Sequence, residues 1–227
     1  MTIRVDPKKT ALLLLKIALA LLFLNIFGQI IGNLLEPKSG SDFLEFAQKQ
    51  SGLRLYTTLL LVFCSALFLL IGLNNKEKGS GKSFHWMGLC VIFFFLAIAK
   101  DTSLDEQFSV LLQSLFDISR SVVYFIAYGI AFILIPALYI RFILQLPRRT
   151  LYWFIAGSIT FLAGAFIFDL VTAYIGKILD HRSIAYIGSS AIEIFLETSG
   201  IIILIFTLLS HLLSELNIEK LEIQHKP

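Results

Sequence analysis

Three carboxylates stand inside long apolar runs of this chain: Asp169 in AGAFIFDL, and Glu193 and Glu197 in EIFLETSG. A charged side chain at the centre of a membrane-spanning helix costs about 2.5–3.5 kcal/mol on insertion scales, so each acid is expected to face a partner, a ligand or water. Glu193 and Glu197 are one helical turn apart and repel, and burial adds to that cost. A proton, a cation or an arginine must therefore neutralise them. Carboxylates without histidine make an oxygen-only set, which suits calcium, magnesium or manganese better than zinc. A divalent cation is the cofactor such a set would take, with Asp169, Glu193 and Glu197 as its ligands.

Helical faces bring further polar groups to these acids. Tyr186, Ser190, Glu193, Glu197 and Gly200 follow one stripe at spacings of three and four, and Ala165, Asp169, Thr172 and Gly176 follow another. Gly157, Ala163 and Gly164 would let the second helix approach a neighbour closely. Arg120, Tyr124 and Tyr128 form a third polar stripe. Turned toward one another, the stripes make a carboxylate pocket with Arg120 as internal counter-charge. Asp105 and Glu106 would overhang it from the preceding connection. A plainer reading has the acids pair with Arg120 or a tyrosine only to fix helix packing. For Glu106 it is stronger still, since Ser103 and Glu106 form a capping box and Asp105 suits a helix N-terminus.

The elements that must position these groups follow from composition. Of 227 residues, 57% are hydrophobic and only 15% charged, too apolar for a soluble domain and too long for a single anchor. Runs of spanning length fall near 11–35, 53–74, 84–100, 121–145, 150–175 and 184–213. This predicts an all-α fold: a polytopic membrane helix bundle of six transmembrane helices, forming a single integral membrane domain over 1–227. The first run is too long for a signal-peptide core and lacks a small-x-small cleavage site. Leu104, Phe108, Leu111, Leu112 and Leu115 share one face after Ser103, and Asp42 with Glu45 gives a similar helix start. Both outer connections are thus expected to carry short amphipathic helices. The short connections NNKEKGSGKS and LPRR are nearly purely basic, which puts both termini in the cytoplasm. The acids then lie in the outer leaflet, Glu193 near the interface, Glu197 about 6 Å further in and Asp169 roughly 8 Å from the outer end of its span.

Other chemistries are not encoded. There is no H-E-x-x-H, phosphate-binding glycine loop or nucleophile elbow, Cys64 and Cys90 lack a CxxC spacing, and nothing points to nucleic acid. Pro136 is the one strong kink signal, and it lies far from the acids.

TSLDEQF after a span, AGAFIFDL in the fifth span and EIFLETSGIIILIFTLLSHL in the last resemble a group of uncharacterised prokaryotic multi-pass membrane proteins. In that group an SLDE-like segment follows a span and the final helix carries an E-E-x-x-E-x-x-G-like motif. The matching positions are Ser103, Leu104, Asp105 and Glu106, then Asp169, then Glu193, Glu197 and Gly200. The chain departs at Ile194, where a further acid is common, and at Gln107 and Ser109, which no histidine follows. The resemblance implies a shared site and a prokaryotic inner membrane.

Three functions compete on these residues. The leading one is binding of a proton or small cation in the outward-facing pocket, in the service of transport. A structural or assembly subunit, whose buried acids meet a partner membrane subunit, is the second. A metal-dependent intramembrane hydrolase, with the same acids holding a metal that activates water, is the third.

Overall fold

Inside a bilayer the backbone has no water to bond, so an apolar run of spanning length must close its own hydrogen bonds as helix. The computed structural model describes residues 2–34, 51–79, 81–102, 134–179, 183–216 and 221–224. Among them lie α1 (Pro7–Leu34), α2 (Ser51–Glu77), α3 (Ser83–Thr102), α4 (Leu134–Ile143), α5 (Arg148–Ile178) and α6 (Ile184–Glu215). All but α4 are long and apolar enough to cross a membrane, and they coincide with five of the six expected spans. The short apolar helix α4 falls in the expected fourth span; residues 121–133, and both connections expected to hold amphipathic helices, lie outside the described residues.

Local chemistry sets the helix ends. Asp6 caps α1, its carboxylate accepting from the N–H groups of Lys8 (3.0 Å) and Lys9 (3.4 Å) around Pro7 at the first helical position. Gly79 follows α2 in the left-handed region, with φ 65°, and its N–H bonds the Lys76 carbonyl at 3.0 Å. Ser183 opens α6, its hydroxyl oxygen accepting from the Tyr186 N–H at 3.2 Å.

The described helices sort into two units. The first holds residues up to Leu60 and from Tyr152 onward. Its axis is α6, where Ile201, Leu204, Ile205 and Leu208 are wholly covered. Helix α1 packs along α6 and turns Leu13, Phe23 and Phe27 outward, the surface that lipid would solvate. The Tyr56 hydroxyl of α2 donates to the Leu14 carbonyl of α1 at 2.6 Å. The second unit, Leu61–Leu151, centres on Phe68, Trp86, Phe93 and Phe142, with neighbouring ring centroids 5.0 to 5.9 Å apart. There the Ser65 hydroxyl donates to the Cys90 carbonyl at 2.9 Å. Cys64 and Cys90 are free thiols.

One feature departs from an all-helical reading. Residues Thr2–Val5 (β1) and Leu221–Gln224 (β2) pair as an antiparallel ribbon, with Arg4 opposite Glu222. The signal is short but present, since TIRV and LEIQ both alternate apolar and polar residues.

A cysteine pair placed at Arg4→Cys and Glu222→Cys is expected to form a disulfide on mild oxidation, because directly opposed residues of an antiparallel pair have Cα atoms about 4.5–5.5 Å apart. Cys64 is fully buried and does not compete. A gel-shift assay reads the product, and an Arg4→Cys/Gln224→Cys pair, out of register, is expected to cross-link less.

Candidate functional site

Helix α5 positions the first acid. It buries Phe154, Gly157, Phe161 and Gly164, with the alternating three- and four-residue steps of a packed helix. Continued unbroken, that stripe would run through Phe168 to Val171. Instead, Ala163–Phe168 winds as a π-helical turn, and the Asp169 N–H donates to the Gly164 carbonyl five residues back as well as to Phe166. The extra residue in the turn moves the stripe one position along the chain. Thr172 is accordingly buried at 6% exposure, while Val171 stands 40% exposed. Asp169, one turn before Thr172, comes round to the same side. The sequence showed no interruption near the acids; the structure has one directly beside Asp169.

That side meets α6 at backbone contact. A Cβ on Gly164 would strike the Glu197 backbone nitrogen and lie 2.8 Å from the Glu193 carbonyl oxygen. One on Gly200 would strike the Phe161 backbone nitrogen and lie 2.6 Å from its Cα, and one on Gly157 would lie 3.0 Å from the Leu204 Cγ. Small residues permit this approach, as the glycine pattern predicts. The contacts run in opposite chain directions, so the helices are antiparallel, and Asp169 falls about level with Ala191 and Ile192, within a turn of Glu193.

The acids then separate into a pair and a deeper third. The Tyr186 phenol lies in the electrostatic field of both Glu193 and Asp169, and the register puts these two acids at about one level on the two helices. Glu197, one turn on, is 5% exposed and sits in the helix crossing. Beside it Thr198, 2% exposed, approaches the Thr57 hydroxyl of α2 at 3.4 Å. Ser189 and Ser190 are buried too, the Ser189 hydroxyl donating to the Tyr186 carbonyl at 3.0 Å. The Thr172 hydroxyl is buried without a hydrogen-bond partner. Counted from Ile178 and Ile184, Asp169 and Glu193 each lie roughly 14 Å along their helices and Glu197 roughly 20 Å. This is further from the helix ends than sequence counting gave, because the Ser183 cap starts α6 a full two turns before Ser190.

Asp169, Glu193 and Glu197 do not assemble as a ready metal cage: among the described residues no group of three or more His, Cys, Asp or Glu is placed to hold a metal ion. Arg120, Tyr124, Tyr128, Asp105 and Glu106 lie outside the described residues, as does His181. His211 is buried toward the other end of α6 and pairs with Glu215 at 3.3 Å. The sequence stripes contained Tyr186 and Thr172 without giving either a role; their spacing was the available signal.

A family model described as a domain of unknown function (DUF8692) matches residues 11–212, from the first turns of α1 to the last turn of α6. No curated protein and no solved structure matches the chain.

Two pairs of variants test this geometry. Gly164→Ala is expected to destabilise the protein by about 1–3 kcal/mol through overpacking, lowering its thermal midpoint. Gly188→Ala, with no atom within 4 Å of the added carbon, is expected to leave the midpoint unchanged or slightly raised. Deleting the exposed Ile167 removes the extra residue and keeps Asp169 and Thr172 facing α6, so that variant is expected to fold with near-native stability. Inserting a residue there instead rotates Asp169 away and is expected to lower the midpoint.

Proposed function

We propose that the chain, which belongs to the DUF8692 family, is a multi-pass membrane protein that holds a proton or small cation between Asp169 and Glu193, in the service of transport across the membrane. The observation that carries this reading is the level that Asp169 and Glu193 share across the α5–α6 contact, within electrostatic reach of the Tyr186 phenol. An acid pair at one level on two touching helices can accept, hold and release a positive charge with little movement of the backbone. Two carboxylates already meet the need of a singly charged guest, whereas a divalent ion would call for further ligands.

Six spans and cytoplasmic termini belong to the same proposal. The ribbon of β1 and β2 supports an even number of crossings, because it joins the two ends of the chain on one side. Five long apolar helices are described, and the sixth span of this proposal is the apolar run near 121–145, in which α4 falls. Basic residues at Lys76, Lys78, Lys82, Arg148 and Arg149 favour the cytoplasm for the α2–α3 and α4–α5 connections. The acid pair, near the α5–α6 turn, then opens to the extracytoplasmic side.

The tight crossing of Gly164 over Glu193 and Glu197 favours a second reading, in which the acids only fix helix packing and the protein is an assembly subunit. Reconstitution separates the two. Vesicles containing the protein and a pH-sensitive dye are expected to dissipate an imposed proton or sodium gradient faster than empty vesicles. Asp169→Asn and Glu193→Gln, checked for folding by gel filtration, are expected to slow that flux by about tenfold or more, the effect of roughly 1.4 kcal/mol. Flux equal to that of empty vesicles under every gradient would leave the packing reading.

A further inference from the structure

We infer that the ion held by this pair is a sodium-sized monovalent cation, bound through oxygen atoms of Asp169 and Thr172 on α5 and of Ser189 and Glu193 on α6. The inference rests on the reading of Asp169 and Glu193 as an ion-holding pair, and it names the ion. Its starting point is Thr172, a hydroxyl more than nine-tenths buried and without a hydrogen-bond partner. A buried polar group left unmade costs about 1–3 kcal/mol, and such a group asks for an explanation.

Geometry supplies one. The π turn brings Thr172 to the same side of α5 as Asp169, three residues on, and the antiparallel register puts it about level with Gly188 and Ser189. Ser189 is buried at 7% exposure and spends its proton on the Tyr186 carbonyl, which leaves its oxygen lone pairs as acceptors. Glu193 follows one turn later. Two carboxylates and two hydroxyl oxygens thus gather from two helices within about one turn in height. A proton on a carboxylate would leave the Thr172 oxygen as it is. A cation would take up its lone pairs together with those of Ser189.

Charge argues for one unit rather than two. A monovalent ion beside one carboxylate makes a neutral pair, the state a low-dielectric surrounding favours. Hard oxygen ligands fit an alkali cation, and thiol or imidazole groups have no part in the site.

Thermal unfolding of the purified protein in sodium, lithium, potassium and choline chloride, at equal ionic strength and mildly alkaline pH, tests the inference. Sodium is expected to raise the midpoint by several degrees over choline, with potassium weaker. Thr172→Val, close in shape but without the hydroxyl, is expected to weaken half-saturation by sodium about tenfold or more, while its midpoint in choline equals or exceeds that of the wild type. Thr172→Ser is expected to restore the sodium response, and serves also if the valine variant does not fold. Wild type that responds alike to all four salts, or Thr172→Val with an unaltered sodium response, overturns the inference. Proton flux that still depends on Asp169 and Glu193 in that case would leave the broader reading standing, whereas loss of both would remove it as well.

Discussion

The close approach of α5 and α6 is the contact on which the site depends. Between helices in lipid there is little hydrophobic driving force, since hydrocarbon tails are as apolar as leucine. What holds two helices together is contact at short range, and Gly164 and Gly200 supply it by letting each backbone lie on the other. Side chains larger than hydrogen at either place would hold the axes apart. The same contact fixes the antiparallel register, and the register decides which groups share a level. Asp169 comes level with the turn that holds Glu193 because Gly164 lies on Glu193 and Glu197.

A straight α-helix would not deliver that result. The packing stripe of α5 repeats every seven residues through Phe154, Phe161 and onward to Phe168, with Gly157 and Gly164 between. Asp169 is one residue off that repeat. The π turn absorbs the difference, so an apolar interface below and a polar one above share a single face of one helix. Such turns hold weaker backbone hydrogen bonds than the α-helix and persist where neighbouring packing stabilises them. Here that packing is the glycine crossing, which begins inside the turn at Gly164. The structural contact and the placement of the acid are therefore one feature.

Much of this was legible in the sequence. Uninterrupted apolar runs located α1, α2, α3, α5 and α6, because a spanning segment has no alternative to helix. The i, i+3 and i+4 stripes put Asp169 with Thr172 and Tyr186 with Glu193, and the structure turns both toward the α5–α6 interface. The π turn was not legible, since AGAFIF reads as ordinary apolar helix and only the partner helix reveals where its face must lie. The sequence already put Glu197 one turn deeper than Glu193; what it could not show is that this turn lies inside the crossing, where Gly164 meets the Glu197 backbone. The terminal ribbon was missed because four-residue strands carry too little pattern to stand out beside spans of twenty or more residues. Arg120, Tyr124 and Tyr128 fall outside the described residues, so the counter-charge read from them is an expectation of the sequence alone.

The division of labour along α6 follows from these placements. Leu204, Ile205 and Leu208 are wholly covered and aliphatic, and the stretch they define has no group able to carry charge. Thr207 lies within it, but its hydroxyl is bound to the Ile203 carbonyl at 2.7 Å and so satisfies its own helix. The acids toward one end and the His211–Glu215 pair toward the other are thus separated by roughly 20 Å of apolar helix, from Glu197 to His211. Charge cannot hop that distance between fixed side chains. The π turn, where the Asp169 N–H bonds the Gly164 and Phe166 carbonyls, is where the backbone of α5 departs from regular helix, directly beside the first acid.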